Sequence, residues 1–191
     1  MLTETLPHKL EGTIEIDETF VGGLNKNRHE NKKQKSGTGG TTPDKTIVLG
    51  LLQRGGRVLN VVIPNRDKES ILPIMLENTY PKTNIITDAL GAYKELSKTH
   101  YHTSVKHGEG AKQYITVGIN HTNNIEGYWS ILKRGIVGTF HQVSRQHLQR
   151  YCNEFAFRYN HRKATTFERF NTSIKNCNQE RVRYKELTGN K

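Results

Sequence analysis

The sequence predicts an α/β fold: a mixed sheet of three consecutive antiparallel strands with a further strand added in parallel, flanked by helices. Three observations carry that expectation. The run TIEIDETFVGG is rich in β-branched and aromatic residues, alternates along its length and stops at Gly22-Gly23, as strands do. TIVLGLLQRGG and RVLNVVIP meet at Gly55-Gly56, which is a hairpin signal. A helical pattern in ESILPIMLENTY then precedes the short apolar run TNIITDALGAY, and a strand reached through a helix joins its sheet in parallel.

Taken in order, residues 1–12 are short and mixed and end in Gly12, the pattern of a tether. In the first strand, alternation puts Glu15 and Asp17 on one face and Ile14, Ile16 and Phe20 on the other. An aspartate in mid-strand is unusual, because strands disfavour it and an unpaired buried carboxylate is costly. A half-exposed edge strand would tolerate it; a bound metal would compensate it. Residues 24–45 are polar, basic and glycine-rich with no apolar period, so they read as a mobile loop. Its Lys32, Lys33 and Lys35 are available to phosphates or simply to water.

In ESILPIMLENTY, Ile71, Ile74, Met75 and Asn78 share a helical side, with Pro73 limiting the helix to its residues from the first turn onward. Asp88 ends the fourth apolar run. There it either sits where ligands gather at strand ends or caps the following ALGAYKEL helix. Residues 97–120 hold His100, His102 and His107 and read as a loop near a nucleic acid. HTNNIEGYWSILKR opens an amphipathic helix with Ile125, Trp129 and Leu132 on one stripe. Glu126 and Lys133 lie two turns apart on nearly the same face, about 10 Å from each other. Asn123 and Glu126 have the spacing of a capping box. Tyr128 and Trp129 could stack on bases or pack the helix. Gly135 and Gly138 mark a break, and Ser144 caps a second helix with Leu148, Tyr151, Cys152, Phe155 and Tyr159 as its stripe. Phe167, Phe170 and Ile174 pack a final helical segment within a basic extension over residues 164–191, whose end frays.

At 191 residues the chain suits one domain. A formal charge of +11 with a pI near 9.7 favours polyanionic partners, chiefly nucleic acid. No apolar stretch approaches the roughly 20 residues of a spanning helix and no signal peptide opens the chain, which argues against a membrane. Cys152 and Cys177 are isolated, so no zinc ribbon is recognisable and a reducing, cytoplasmic setting is expected.

Acids on the first strand, the fourth strand and a late helix have the layout of the RNase H-like (retroviral-integrase-like) nucleotidyl-transferase fold. The motifs IEIDETFVGG, IITDALGAY and HTNNIEGYWSILKRGIVGTFHQVSRQHLQRYCNEFAFRYNHR resemble the ISXO-type insertion-sequence transposases of the DDE class. The resemblance runs from about Leu10 to Arg162, and residues 13–163 are taken as the catalytic domain. It implies that Asp17, Asp88 and Glu126 are the three catalytic, metal-binding acids and that Lys133 is the lysine following them. It further implies metal-dependent cleavage and strand transfer on double-stranded DNA, at transposon ends and target. The implied metal is Mg²⁺, replaceable by Mn²⁺, as a pair of ions; hard cations of this kind prefer carboxylate oxygens. Lys133, Arg134, Asn124 and the three loop lysines Lys32, Lys33 and Lys35 form the expected DNA-contact set, and a homodimer or multimer on DNA is the expected assembly. Full transposases of this kind carry an N-terminal recognition region, for which there is no room before Asp17, so the chain reads as an isolated catalytic domain. A standalone RNase H-like nuclease and a catalytically silent DNA-binding remnant are the competing readings.

Overall fold

The computed structural model describes residues 8–22, 45–88, 91–105, 121–177 and 183–188. Its sheet contains β1 (Thr13–Val21), β2 (Thr46–Gln53), β3 (Val58–Ile63), β4 (Asn84–Asp88) and β5 (Tyr101–Val105), in the order β3-β2-β1-β4-β5. β1, β2 and β3 pair antiparallel, while β4 pairs parallel with β1 and β5 parallel with β4. This is the mixed RNase H-like sheet that the sequence predicts. Gly55 turns the β2–β3 hairpin at φ 69°, a left-handed conformation that glycine adopts without steric cost.

Two apolar layers cover the sheet. On one face Ile14, Ile16, Leu49, Leu51 and Ile85 meet Ile71 and Met75 of α1 (Lys68–Asn78), together with Tyr93 and Leu96 of a 3-10 helix at Gly91–Lys98. On the other face Val48, Leu52 and Val58 meet α2 (Asn123–Gly135) through Ile125, Tyr128, Trp129 and Leu132. α3 (Leu148–Asn160) adds Leu148, Cys152 and Phe155 to that layer. The alternation of β2 is therefore shared between two cores, as expected for a strand buried on both faces.

Several expectations need correction. Leu10, placed in a tether, is buried, and its backbone bonds to Asn78 and Tyr80 at the end of α1. α1 runs through Pro73, which lies on the exposed side while Ile71 and Met75 anchor the helix and the Asp67 side chain caps its first turn. A fifth strand occupies 101–105, inside the stretch read as a loop. It is an edge strand whose residues are mostly exposed, so no apolar alternation announces it. The helix expected after Asp88 is a 3-10 helix at Gly91–Lys98, Ala89 and Leu90 lie outside the described residues, and so does His107.

α2 does not break at Gly135. It passes into a π-helical turn at Ile136–Phe140, and the chain leaves at His141 with φ 59°. Gly135 serves packing instead: a Cβ there would stand 2.0 Å from Phe155 Cζ. Ser144 makes no side-chain cap and precedes a 3-10 turn, Arg145–His147, that leads into α3. α4 (Thr166–Cys177) forms, yet Phe167, Phe170 and Ile174 are 73%, 61% and 46% exposed and do not pack as expected. The reciprocal capping box read at Asn123–Glu126 is found at Thr165–Glu168, where each residue accepts from the other's backbone N–H. α5 (Tyr184–Thr188) closes the described chain.

One glycine in the sheet controls how α2 meets it. Gly50 is paired with Asp17 across the β1–β2 ladder, and a Cβ at Gly50 would lie 2.5 Å from Trp129 Cζ2. The indole thus lies flush on the β2 backbone. Gly50→Ala is expected to destabilise the fold by about 1–3 kcal/mol through overpacking, measured by urea denaturation. Unchanged stability would show that the indole has room to move.

Candidate metal centre and active site

β1 presents Glu15 and Asp17 toward α2, as its alternation requires. Asp17 is half-buried, and its Oδ2 accepts from the Trp129 indole N–H at 3.0 Å. In the parallel ladder Ile16 faces Thr87, so Asp17 and Asp88 occupy the next positions along their two strands. Asp88 is the last residue of β4. Its carbonyl accepts from the hydroxyls of Thr87 (2.7 Å) and Ser104 (3.1 Å), which braces this strand end against β5.

Glu18 completes the cluster. One carboxylate oxygen from each of Asp17, Glu18 and Asp88 can be chosen so that all three lie within 4.8 Å of one another. Glu18 is buried, and the buried Tyr93 hydroxyl donates to it. Sequence reasoning passed over Glu18, because alternation assigns it to the face opposite Asp17. Its neighbouring position in the Asp17-Glu18 pair was the available signal; the closeness of β4 and Tyr93 is visible only in three dimensions.

Glu126 stands in the first turn of α2, exposed, with its Oε1 accepting from the Thr122 hydroxyl at 3.0 Å. It lies outside the tight three-residue cluster but is close enough for its charge to disfavour ionisation of Asp17. Lys133 and Arg134 are exposed in the last turn of the same helix, and Arg134 Nε donates to the Ser130 carbonyl at 3.2 Å. The exposed Asn124, part of the expected DNA-contact set, donates its amide to Glu15 at 2.6 Å. Lys32, Lys33 and Lys35 lie outside the described residues. Tyr128 and Trp129 are both buried, the Tyr128 hydroxyl accepting from Asn60, so neither offers a face to a base.

The histidines take other work. His100 is buried against the Thr79 hydroxyl at 3.0 Å, and His102 on β5 lies 2.9 Å from the Thr87 hydroxyl. Thr87 already gives its hydrogen to Asp88, so His102 Nε2 is the donor in that contact. Neither joins the acidic cluster, and burial lowers both their pKa values.

Electrostatically the cluster concentrates negative charge, with Arg66 the cation that lowers the Glu18 pKa. Burial raises the Asp17 pKa; the Trp129 hydrogen bond opposes this, and the charges of Asp88 and Glu126 reinforce it. Burial pushes Glu18 up to about 7, against the pull of Tyr93, with Asp88 and Asp17 adding to the rise. Carboxylates crowded this way are a poor arrangement without a cation and a good one with it. The donor set is all oxygen, which fits Mg²⁺ or Mn²⁺ and not a thiophilic metal.

A carboxyl that holds its proton in the folded state to about pH 7, and loses it near 4.5 when unfolded, favours folding fully below the lower value. That contribution fades as pH rises through the upper one, by on the order of 3 kcal/mol. Without metal, the melting temperature is expected to fall between pH 5 and pH 8. Mg²⁺ is expected to raise it more at pH 8, where it meets no competing proton. A Mg²⁺ effect of the same size at both pH values would contradict a shared carboxylate site.

Comparison with known proteins identifies a family. Residues 9–160 match the profile of the ISXO2-like transposase domain. An uncharacterized transposase-like protein of Haemophilus influenzae is 27% identical over 105 residues, 54% of this chain and 81% of that protein. An uncharacterized protein in the transposable element ISH50 of Halobacterium salinarum is 30% identical over 161 residues, 80% of this chain. The match spans 53% of that second relative's length. No solved structure matches the chain. With the matched region running from before β1 to the end of α3, the chain belongs to the ISXO2-like transposase domain family.

Proposed function

We propose that this domain cuts DNA strands at insertion-sequence ends and joins them to a target, using divalent metal held by Asp17, Asp88 and Glu126. The observation that carries the reading is the crowding of carboxylates where β1 and β4 run side by side, with Glu126 brought up from α2. Mg²⁺, or Mn²⁺ in its place, would supply positive charge to the attacking and leaving oxygens of an in-line displacement. Asp17, on β1, would hold the metal together with Asp88 from the end of β4 and Glu126 from α2. Glu18 would be a further ligand.

Water attacks the phosphodiester at the element's end and releases a 3′-hydroxyl. That hydroxyl then attacks a target phosphodiester, forming one bond as another breaks. Lys133, exposed two turns beyond Glu126, holds a phosphate as a point charge, with Arg134 beside it. The formal charge of +11 supports duplex DNA as partner, with a homodimer or multimer bringing two ends together. Cytoplasmic action beside the chromosome follows from this role, and no helix among the described residues is long and apolar enough to cross a membrane.

Asp17→Asn keeps an acceptor for Trp129 and is expected to fold. On labelled duplex DNA in Mn²⁺ it should lose cleavage roughly 100-fold or more, the scale seen when a charge-stabilising group is removed. Glu126→Gln should behave alike, and strand-transfer products on end-containing DNA separate a transposase from a simple nuclease. Full cleavage by a folded Asp17→Asn protein would remove Asp17 from the chemistry.

A further inference from the structure

β1 and α2 are joined at two points, and these bracket Glu126. At the first, the fully buried Glu15 carboxylate accepts through Oε2 from the backbone N–H groups of Asn124 and Ile125, both at 3.0 Å. Its Oε1 accepts from the Asn124 amide at 2.6 Å and from Arg54 Nε at 2.7 Å. Arg54 also donates to the His121 carbonyl at 2.7 Å, which secures the residues leading into the helix. At the second point Trp129 donates to Asp17. Glu126 follows Ile125 directly and precedes Trp129 by less than one turn.

The first turn of a helix has backbone N–H groups without partners, usually satisfied by the side chain of its own N-cap residue. Here Thr122 makes no such bond; its hydroxyl donates to Glu126. The cap comes instead from a strand distant in sequence. That strand is the one carrying Asp17, two residues beyond Glu15 and about 7 Å along it. The separation of Asp17 and Glu126 is thus fixed by one pleat of β1 and a pair of hydrogen bonds.

Resting on the metal-site reading above, we propose that Glu15, clamped by Arg54, is a positioning residue. It sets where Glu126 stands relative to Asp17 and thereby sets the metal affinity of the site. A purely structural Glu15 would alter stability alone; a positioning Glu15 alters metal affinity in protein that remains folded.

Trp129 is the chain's single tryptophan, so its indole N–H resonance reports on Asp17 without ambiguity. The test is a Mg²⁺ titration of that resonance in wild type, Glu15→Gln and Asp17→Asn, at a temperature where each is folded by circular dichroism. The wild-type signal should shift to saturation, and Asp17→Asn should lose the response. Glu15→Gln should need about tenfold more Mg²⁺, in the range found when groups supporting metal ligands are altered. Should Glu15→Gln not fold, Asn124→Ala removes one of the four donors from an exposed position and is expected to shift the titration the same way, by less. A folded Glu15→Gln or Asn124→Ala protein with wild-type Mg²⁺ affinity overturns the positioning role while leaving the metal site intact. A wild-type resonance indifferent to Mg²⁺ overturns the metal site itself, and the positioning role with it.

Discussion

Burying Glu15 beneath α2 removes a carboxylate from water, and the structure offsets that cost with four donors from two elements of the chain. Two are backbone groups of the α2 first turn, one is the Asn124 amide and one is the Arg54 guanidinium from the β2–β3 hairpin. Losing a partner would leave a buried charge uncompensated, which is far more damaging than losing an exposed ion pair. The register of α2 on the sheet follows from this contact. So does the fit of Trp129 over Gly50, because the indole can reach Asp17 only if the helix starts where Glu15 holds it.

The two faces of β1 divide the labour of the domain. Ile14 and Ile16 face α1 and the 3-10 helix in an apolar core, while Glu15 and Asp17 face α2. Glu18 departs from this pattern: it belongs by alternation to the apolar side, yet it meets Tyr93 there and still reaches Asp88. The carboxylates collect at the limit of the parallel β1–β4 ladder. A cation is the natural partner for groups held together in that way.

Much of this was legible in the sequence. Glycines at 55 and 56 located the hairpin, and the β-branched runs located four strands, because buried strands must carry apolar residues at regular spacing. Asp17 stood out as an acid where a strand disfavours one, and Asp88 as an acid at the end of a buried run. β5 was not legible, since an edge strand with mostly exposed residues has no apolar period. The capping box is a local pattern that occurs at both Asn123 and Thr165; only tertiary contacts show that α2 takes its cap from Glu15 whereas α4 uses its own. The stripe of α4 reads as core by its spacing, but periodicity tells which residues share a face and not whether anything covers it. Glu15 was placed on the face of Asp17, though its partners, coming from Arg54 and from α2, could not be inferred from spacing.

The most direct test of the metal centre is anomalous diffraction from crystals of the protein soaked in Mn²⁺. The expected result is a peak bonded at about 2.0–2.3 Å to carboxylate oxygens of Asp17 and Asp88, with Glu126 or Glu18 turned toward it. Manganese held by His100 or His102, or none near β1 at saturating concentration, would contradict a catalytic metal site built on these acids.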